Sequence, residues 1–478
     1  MSEITLITLL WHDYETWGID PRQDRPAQFA ALQTNSELEE IGEPIMLYCR
    51  PTDDFLPHPE AAMLTGISPQ EAATKGMNEA DFFQKINALF SQPRTCGLGY
   101  NSLRFDDEVT RFGLYRNFID PYAREWQNEN SRWDFIDLMR MAYALRPEHI
   151  HWPEKEDGCV SFNLEDLTAA NGIEHSNAHD ALSDVRATIA LARLIKRLQP
   201  RLYTYFFNLR RKHEAAQMLN LREHGIVLHV SGMYPTALGC MAPVVPLLQH
   251  PRNTNEIIVY DLRQNPQEFL DMTVDEIEDN LYTRTEELPE GVERIGLKGV
   301  HLNKSPALAP VNTLTPELAD KWQIHWQQIK DHYQVLLAEN TLENLKNRLQ
   351  ELYLRVSDIE PVDVDVALYG TFISNSDRRI CDTLLQKSPE QLAEWKPDFQ
   401  DKRLQRLYFR YRARNWPETL NAKERDQWRQ FCEDRLLAGK FGHPLTLDKY
   451  QDILEEMLEQ GIPENRQDLF KKLVEWVQ

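Results

Sequence analysis

Several features are missing from the 478-residue sequence, and their absence excludes whole classes of protein. No run of 18 apolar residues occurs, so the sequence offers no membrane-spanning helix. The six cysteines are scattered singly, without a CxxC pair or a zinc-ligand spacing, which is typical of reduced thiols in a cytosol. The first residues, MSEIT, lack the basic segment of a secretory signal. We therefore expect a soluble cytoplasmic protein.

Positive charge is also scarce. Lys and Arg number 53 against 75 Asp and Glu, and the net charge is −22, of which −14 falls in residues 1–200. This balance argues against a nonspecific nucleic-acid coat, because phosphate binding needs positive potential. Two stretches differ from the rest: residues 185–213 hold eight basic residues and no carboxylate, and residues 401–430 carry a net charge of +5 among aromatics. Each is either a solvated helix face or a track for a polyanion.

The composition that is present, with 42% hydrophobic and 27% charged residues, is that of a globular protein of two or three domains. Strand and helix patterns alternate in residues 1–200, with helices predicted over 79–90 and 179–198, so a mixed α/β domain is expected. Short β-like segments between Pro and Gly turns in residues 225–310 favour a small barrel-like or mixed domain. From about residue 320 onward the pattern is helical.

Two carboxylates follow the first predicted strand in the sequence Asp13-Tyr14-Glu15. Positions i and i+2 of a strand face the same side, so both carboxylates address one point. Adjacent carboxylates repel each other unless cations lie between them, and Mg²⁺ prefers such hard oxygen ligands. The alternative is that this pair occurs by chance in an acidic chain.

Two further segments add candidate residues for the same chemistry. Asp106 follows a predicted strand and opens a helix together with Asp107 and Glu108, although acids in a first helical turn also complement the helix dipole. His179 precedes Asp184 by five residues at the start of the long helix, where a surface or capping histidine is the alternative. The order DxE, FDD and HxxxxD is much rarer than any one of its parts.

This arrangement resembles the DEDD exonuclease superfamily, in the subtype with His in the third motif. The resemblance extends to the bacterial exonuclease I family and runs from residue 12 to about 420. The stretches that carry it include HDYETWGIDPRQDRPAQFAALQT, TGISPQEA, GYNSLRFDDEVTRFGLYRNFIDPY, NSRWDFIDLMR, YALRP, ANGIEHSNAHDALSDVRATIA, LHVSGM and YRARNWPETL.

The resemblance implies an RNase H-like exonuclease domain over residues 1–200, an SH3-like domain over 201–352 and a helical C-terminal domain over 353–478. It implies a 3′→5′ exonuclease that releases 5′-mononucleotides from single-stranded DNA and acts in repair and recombination. Two Mg²⁺ ions, replaceable by Mn²⁺, would stabilise the attacking hydroxide and the leaving 3′ oxygen. We expect the protein to be a monomer.

The same resemblance implies roles for individual residues. Asp13 would bridge the two ions, Glu15 and Asp184 would be further ligands, Asp106 would hold the second ion and His179 would activate water. Glu15 would also face the substrate, together with residues suited to stack on bases or contact phosphates. These are Leu64, Arg111, Tyr122, Trp126, Arg140, Phe162 and Lys212.

One expected DNA contact departs from the family pattern, and two positions suggest a protein partner. Asn163 stands in SFNLE where relatives carry a basic residue, so a charged substrate contact there is in doubt. Arg146 and Tyr205 match positions that hold the acidic C-terminal tail of single-stranded DNA-binding protein. An Arg that binds a terminal carboxylate is physically sensible.

Two other functions compete with this interpretation. An RNA-trimming or proofreading relative would share the motifs, but such enzymes are usually single short domains. A non-catalytic scaffold would not need to keep mutually repelling carboxylates. We therefore predict a Mg²⁺-dependent exonuclease specific for single-stranded DNA.

Overall fold

A computed structural model describes residues 7–175, 180–355, 363–442 and 445–478. Its strands are β1 (Thr8–Thr16), β2 (Pro26–Thr34), β3 (Glu40–Tyr48), β4 (Thr95–Gly99), β5 (Ser131–Asp134), β6 (Val227–Val230), β7 (Met241–Gln249), β8 (Glu256–Asp261), β9 (Leu297–His301) and β10 (Ala307–Pro310). Its helices are α1 (Pro59–Thr65), α2 (Pro69–Lys75), α3 (Glu79–Phe90), α4 (Asp106–Arg116), α5 (Phe135–Leu145), α6 (Leu164–Ala170), α7 (Ala181–Leu198), α8 (Pro200–Leu209), α9 (Lys212–Met218), α10 (Pro266–Asp271), α11 (Val274–Tyr282), α12 (Pro316–Lys321), α13 (Trp326–Leu336), α14 (Glu339–Leu354), α15 (Asn375–Leu384), α16 (Pro389–Glu394), α17 (Lys402–Asn415), α18 (Ala422–Leu436), α19 (Leu447–Gln460) and α20 (Gln467–Trp476).

The chain divides into two compact units, and the first comprises Met1–Ser131, Glu174–Ile189 and Ile359–Gln478. Its sheet has the order β3-β2-β1-β4-β5, with β1 antiparallel to β2 and parallel to β4. β1 is central, and its apolar start is fully buried, as a strand covered on both faces requires. The predicted carboxylate pair therefore lies on the innermost strand of the sheet.

The second unit comprises Arg132–Ile173 and Ala190–Asp358. Its sheet is antiparallel throughout, with the order β10-β6-β7-β8-β9. The strand β7 was not anticipated from the sequence, because Pro243 and Pro246 interrupt its apolar run. The structure accommodates Pro246 beside a register shift toward β8. The small β domain predicted over residues 225–310 is confirmed as an antiparallel sheet.

The core of the first unit mixes residues from both ends of the chain. One cluster packs Phe112 and Tyr115 of α4 against Leu407 and Tyr411 of α17. Another packs Trp17, which follows β1, among residues of α19 and α20. The C-terminal helices therefore contribute to the hydrophobic core around the first sheet, and Ala413, Leu420 and Trp428 form a further small cluster among themselves.

Five of the nine basic residues in the stretch 401–430 are exposed, as on a solvated helix face, whereas three arginines of α17 form buried ion pairs instead. Arg410, Arg412 and Arg414 of α17 are each at most 8% exposed. Arg410 pairs with Asp363, Arg412 with Glu424, and Arg414 with Asp54. A buried guanidinium needs a carboxylate partner, so these arginines form neither a solvated face nor a polyanion track.

The described part of the chain contains no helix that is both long and apolar enough to cross a membrane.

Candidate active site

Three of the predicted acids meet at one point of the first unit. Asp13 and Glu15 lie two residues apart on β1, and Asp184 lies in the first turn of α7. One carboxylate oxygen from each residue lies within 4.8 Å of the others. The strand parity that predicted a shared face for Asp13 and Glu15 is thus confirmed, and α7 brings the third acid to the same place.

The fourth predicted acid, Asp106, is fixed to the same strand. It begins α4, is 3% exposed, and its Oδ1 accepts a hydrogen bond of 3.0 Å from the backbone N–H of Tyr14. The Tyr14 hydroxyl lies 2.9 Å from the hydroxyl of Thr110, which in turn donates to the carbonyl of Asp106 at 2.8 Å. These bonds hold the start of α4 against β1.

The two acids that follow Asp106 have other partners. Asp107 accepts a 2.7 Å bond from the guanidinium of Arg124, which is also buried. Glu108 accepts a 2.7 Å bond from Arg111. Asp106, by contrast, faces Asp13 and Glu15 and raises the pKa of both.

Asp13, Glu15 and Asp184 are here termed the acidic cluster, and burial and mutual repulsion dominate its electrostatics. Burial, together with Asp106, Glu15 and Asp184, raises the pKa of Asp13 well above its usual range. Burial and then Asp184 raise the pKa of Glu15 to about 9. Ionising Asp13 and Glu15 is therefore costly, because burial and the neighbouring carboxylates both oppose it. A bound cation would remove that cost.

The donor set fits divalent metal ions. Asp13, Glu15 and Asp184 offer converging hard oxygens, and Asp106, at the start of α4, bonds to the backbone of Tyr14, between Asp13 and Glu15. His179, the predicted activator of water, lies outside the described residues, so its position stays a prediction.

A second histidine of the same motif was not anticipated. His175 is buried, and its Nε2 lies 2.6 Å from Oδ1 of Asp184. Asp180 caps the start of α7 by accepting a 3.0 Å bond from Ser183, and its charge also raises the pKa of Glu15. The sequence ANGIEHSNAHD contains both histidines, but the family resemblance assigns the motif position to His179.

The first unit holds four of the predicted DNA-contact residues. Leu64, near the end of α1, and Trp126 are 54% and 66% exposed, which suits contact with a base. Arg111 is buried, with Nε 2.7 Å from Glu125, and its guanidinium lies 5.5 Å from the ring centre of Tyr122. Arg111 thus already has carboxylate partners, and any contact it makes with phosphate stays a prediction.

Tyr369 is a further aromatic residue at this surface that sequence reasoning missed. Its hydroxyl donates to Glu108 at 2.6 Å and accepts from Arg111 at 3.2 Å, while half of the residue is exposed. Its ring lies edge-on to Phe112. No local pattern could have found it, because Arg111 and Tyr369 are 258 residues apart.

The second unit holds the other predicted DNA contacts. The guanidinium of Arg140 lies 5.8 Å from the ring centre of Phe162, so a cation and an aromatic ring are adjacent. Asn163 is exposed and precedes α6, without a side-chain capping bond. Lys212 begins α9, is exposed and donates to Asn255. The structure therefore places the Arg140 and Phe162 side chains together.

The two predicted partner residues line one cavity of the second unit, with a volume of about 440 Å³. Arg146 donates to the carbonyl of Thr313 at 3.1 Å, and the Tyr205 hydroxyl donates to that of Leu308 at 2.9 Å. Arg201 also lines the cavity, among apolar side chains. A cavity lined by two arginines and by apolar side chains suits a peptide that ends in a carboxylate.

Family models match three consecutive parts of the chain. They are described as "Exonuclease" over residues 10–192, "Exonuclease I SH3-like domain" over 210–355 and "Exonuclease I C-terminal domain" over 362–478. The chain is 47% identical to exodeoxyribonuclease I of Escherichia coli over 437 residues, covering 90% of this chain and 91% of that protein. It is 45% identical to exodeoxyribonuclease I of Haemophilus influenzae over 427 residues, covering 89% and 90%.

Solved structures agree with these matches. Exonuclease I of Methylocaldum szegediense has a TM-score of 0.93 at 45% identity, covering 98% of this chain and 99% of that one. E. coli exonuclease I in complex with a dA16 oligonucleotide has a TM-score of 0.92 at 44% identity, with the same coverage. A complex of SSB and exonuclease I with the inhibitor CFAM has a TM-score of 0.89 at 44% identity, again with the same coverage. The predicted combination of an RNase H-like, an SH3-like and a helical C-terminal domain is confirmed.

Proposed function

The chain belongs to the exonuclease I family and is an exodeoxyribonuclease, and we propose that it degrades single-stranded DNA from the 3′ end. The products would be 5′-mononucleotides. The observation that supports this most directly is the acidic cluster, in which oxygens of Asp13, Glu15 and Asp184 lie within 4.8 Å of one another. DNA repair and recombination are the processes in which such an enzyme would act. We propose that it acts in the cytoplasm as a monomer, with domains over residues 1–200, 201–352 and 353–478.

The family requires divalent metal ions, and we propose that two Mg²⁺ ions serve here, with Mn²⁺ as a substitute. Asp13, Glu15, Asp106 and Asp184 would hold them. When bound, the ions would lower the pKa of water and stabilise charge on the reacting phosphate. His179 would accept the proton of the attacking water, since a neutral imidazole is suited to that task near pH 7.

A nuclease assay on three matched substrates tests the function. The full chain would be incubated with Mg²⁺ or with EDTA on single-stranded DNA, duplex DNA and RNA of one sequence, each labelled at the 5′ end. We expect a ladder that shortens from the 3′ end on single-stranded DNA alone, no cleavage in EDTA, and 5′-mononucleotides as products.

Each alternative has a distinct outcome in that assay. Preferential shortening of RNA would identify the RNA-trimming alternative, and binding without cleavage would identify the scaffold. A substrate whose 3′ end is blocked should persist, because hydrolysis would begin at a free 3′ terminus. Internal cuts in the blocked strand would contradict exonuclease action.

We also propose that the cavity containing Arg146 and Tyr205 binds the acidic C-terminal tail of SSB. An Arg that contacts a carboxylate makes a charge-assisted bond, whose loss costs roughly tenfold in affinity. Titration of the tail peptide should therefore show about tenfold weaker binding to Arg146→Ala.

Two matched controls make this titration specific. Arg197→Ala removes an exposed arginine that does not line the cavity, and should bind the peptide like the wild type. A peptide with an amidated C-terminus should bind the wild type as weakly as the acid binds Arg146→Ala. Equal affinity of the wild type and Arg146→Ala for the acid peptide would reject the assignment.

A further inference from the structure

The turn that follows β6, Ser231-Gly232-Met233, belongs to the LHVSGM stretch and has no role in the site described above. Hydrogen bonds hold it rigid. The Ser231 carbonyl accepts from the N–H of Tyr234 at 3.1 Å, and the Ser231 hydroxyl oxygen accepts from the N–H of Met233 at 3.3 Å. The ammonium of Lys298 donates to the same hydroxyl at 3.0 Å and lies 4.1 Å from the ring centre of Tyr234.

Gly232 provides space for the side chain of Arg140. A Cβ atom at Gly232 would lie 2.7 Å from Cζ, 2.8 Å from Nη2 and 3.1 Å from Nε of that arginine. The guanidinium therefore lies against the bare backbone of the turn. Gly232 is not among the glycines with positive φ, so its lack of a side chain, and not its backbone conformation, matters here.

Arg140 is held from three sides. Besides the turn, its Nη1 donates to Asp137 at 2.7 Å, and its guanidinium lies 5.8 Å from the ring centre of Phe162. A cation fixed beside an aromatic ring suits a single strand, whose phosphate and unpaired base it can contact at once. Met233, in the same turn, is 76% exposed and offers an apolar contact at this surface.

We propose that the turn Ser231–Met233 positions Arg140 for a phosphate of the single strand and that Met233 contacts a base of that strand. This inference rests on the proposed function, since it assumes single-stranded DNA as the ligand. Gly232 and Ser231 are positioning residues, because they act through Arg140 and Met233.

Gly232→Ala is the decisive variant, with Gly225→Ala as its matched control. The new methyl group at position 232 would displace only the end of a flexible side chain, so the melting temperature should stay unchanged. A Cβ at Gly225, in the same unit, would meet nothing within 4 Å. Binding of a 30-mer of single-stranded DNA would be measured in EDTA, where no hydrolysis occurs, as a function of salt.

We expect Gly232→Ala and Arg140→Ala each to weaken binding about tenfold, the scale of one lost charge-assisted contact. Each should flatten the slope of log K against log salt by about 0.7, which corresponds to one phosphate. The double variant should be no weaker than either single variant, and Gly225→Ala should match the wild type. In Mg²⁺, the KM of Gly232→Ala and of Arg140→Ala should rise while kcat is kept.

Met233→Ala should weaken binding of the 30-mer without changing the salt slope, and Met233→Leu should restore the affinity.

The outcomes separate failure of this inference from failure of the proposed function. Wild-type affinity in Gly232→Ala, while Arg140→Ala binds weakly, would reject the positioning role. Wild-type affinity in Arg140→Ala would reject the phosphate contact. Equal weakening in Gly225→Ala would show a general loosening and would also reject the proposal. A wild type that binds the 30-mer but does not shorten it would refute the exonuclease, while leaving the binding comparison intact.

Discussion

The first unit contains two groups of buried carboxylates with opposite surroundings. In the acidic cluster, Asp13 and Glu15 face other carboxylates, and the pKa of each is raised. In a second group, here termed the ion network, the buried acids face arginines. The network consists of Arg25, Asp54, Glu79, Arg116, Asp363, Asp365, Arg410, Arg414 and Arg435, each at most 8% exposed.

Asp365 is the centre of the ion network. Its carboxylate lies 2.9 Å from Arg414, 3.1 Å from Arg410 and 3.3 Å from Arg435. Burial alone would raise the pKa of Asp365, and the guanidinium groups of Arg414, Arg410 and Arg25 instead lower it well below its usual range. An aspartate is thus neutralised by arginines in the ion network, whereas in the acidic cluster it is repelled by other carboxylates. The first arrangement holds the fold, and the second has a use only when cations bind.

The largest expected effect is that of removing the repelling charge at the site. Asp13→Asn should lower turnover about 1000-fold or more, since loss of several kcal/mol of charge stabilisation corresponds to such a factor. Without metal, the same variant should unfold at a higher temperature, because relieving a strained site commonly stabilises by about 0.5–2 kcal/mol. Steady-state hydrolysis and thermal melts in EDTA would measure both.

The control for this variant is Asp382→Asn, which removes an exposed carboxylate of α15. It should leave both turnover and melting temperature close to the wild type. Retention of a tenth of the turnover by Asp13→Asn would contradict its role as a metal ligand.

Removing the centre of the ion network should act on stability instead. Asp365→Asn leaves buried arginines without their carboxylate, and breaking a buried pair costs about 3–5 kcal/mol. Urea unfolding should show this loss in the free energy of unfolding, while turnover per folded molecule falls far less than in Asp13→Asn. Glu71→Gln, which removes the carboxylate of an exposed pair with Lys75 on α2, should cost about 1 kcal/mol or less. Equal losses in the two variants would show that burial does not set the difference.

A smaller effect is expected at His175, which orients a ligand of the acidic cluster. Because its Nε2 lies 2.6 Å from Asp184, His175→Ala should weaken metal binding by about 10–100-fold, the usual scale for such supporting contacts. Calorimetric titration with Mn²⁺ measures this directly, and raised metal concentration should recover part of the activity. His213→Ala, at an exposed histidine, is the control. Unchanged Mn²⁺ affinity in His175→Ala would remove His175 from this role.

The acidic cluster was largely predictable from sequence and the ion network was not. Strand parity put Asp13 and Glu15 on one face, and the helix predicted over residues 179–198 put Asp184 at its start. Both rules depend only on residues close in sequence, so they can be applied without knowledge of the fold. The helix α3 was likewise predicted with its observed bounds.

The partners of α17 could not be found by local rules. Arg414 pairs with Asp54, 360 residues away, and with Asp365, 49 residues away. A basic helix with aromatics gives the same pattern whether its arginines face water, phosphate or buried carboxylates. Burial decides between these possibilities, and burial depends on the packing of α17 against α3 and α4 from the other end of the chain.

A last expected effect is a pH dependence of stability, with one sign for the acidic cluster and the opposite sign for Asp54 and Asp365 of the ion network. In the acidic cluster, the folded protein holds a proton on Glu15 up to a pKa of about 9, whereas the unfolded chain releases it near 4.5. The folded state therefore binds more protons in this range, so stability in EDTA should fall as pH rises from about 5 to 9.

In the ion network, the pKa values of Asp54 and Asp365 lie below their usual range, so their contribution to stability is present above about pH 4 and is lost on further acidification. Melting temperature in EDTA should thus peak near pH 5 and decline toward pH 9. Asp13→Asn or saturating Mg²⁺ should flatten the decline above pH 5 and leave the acid limb unchanged, whereas Asp365→Asn should weaken the acid limb alone. A decline above pH 5 that persists unchanged in Asp13→Asn would show that the acidic cluster is not its source.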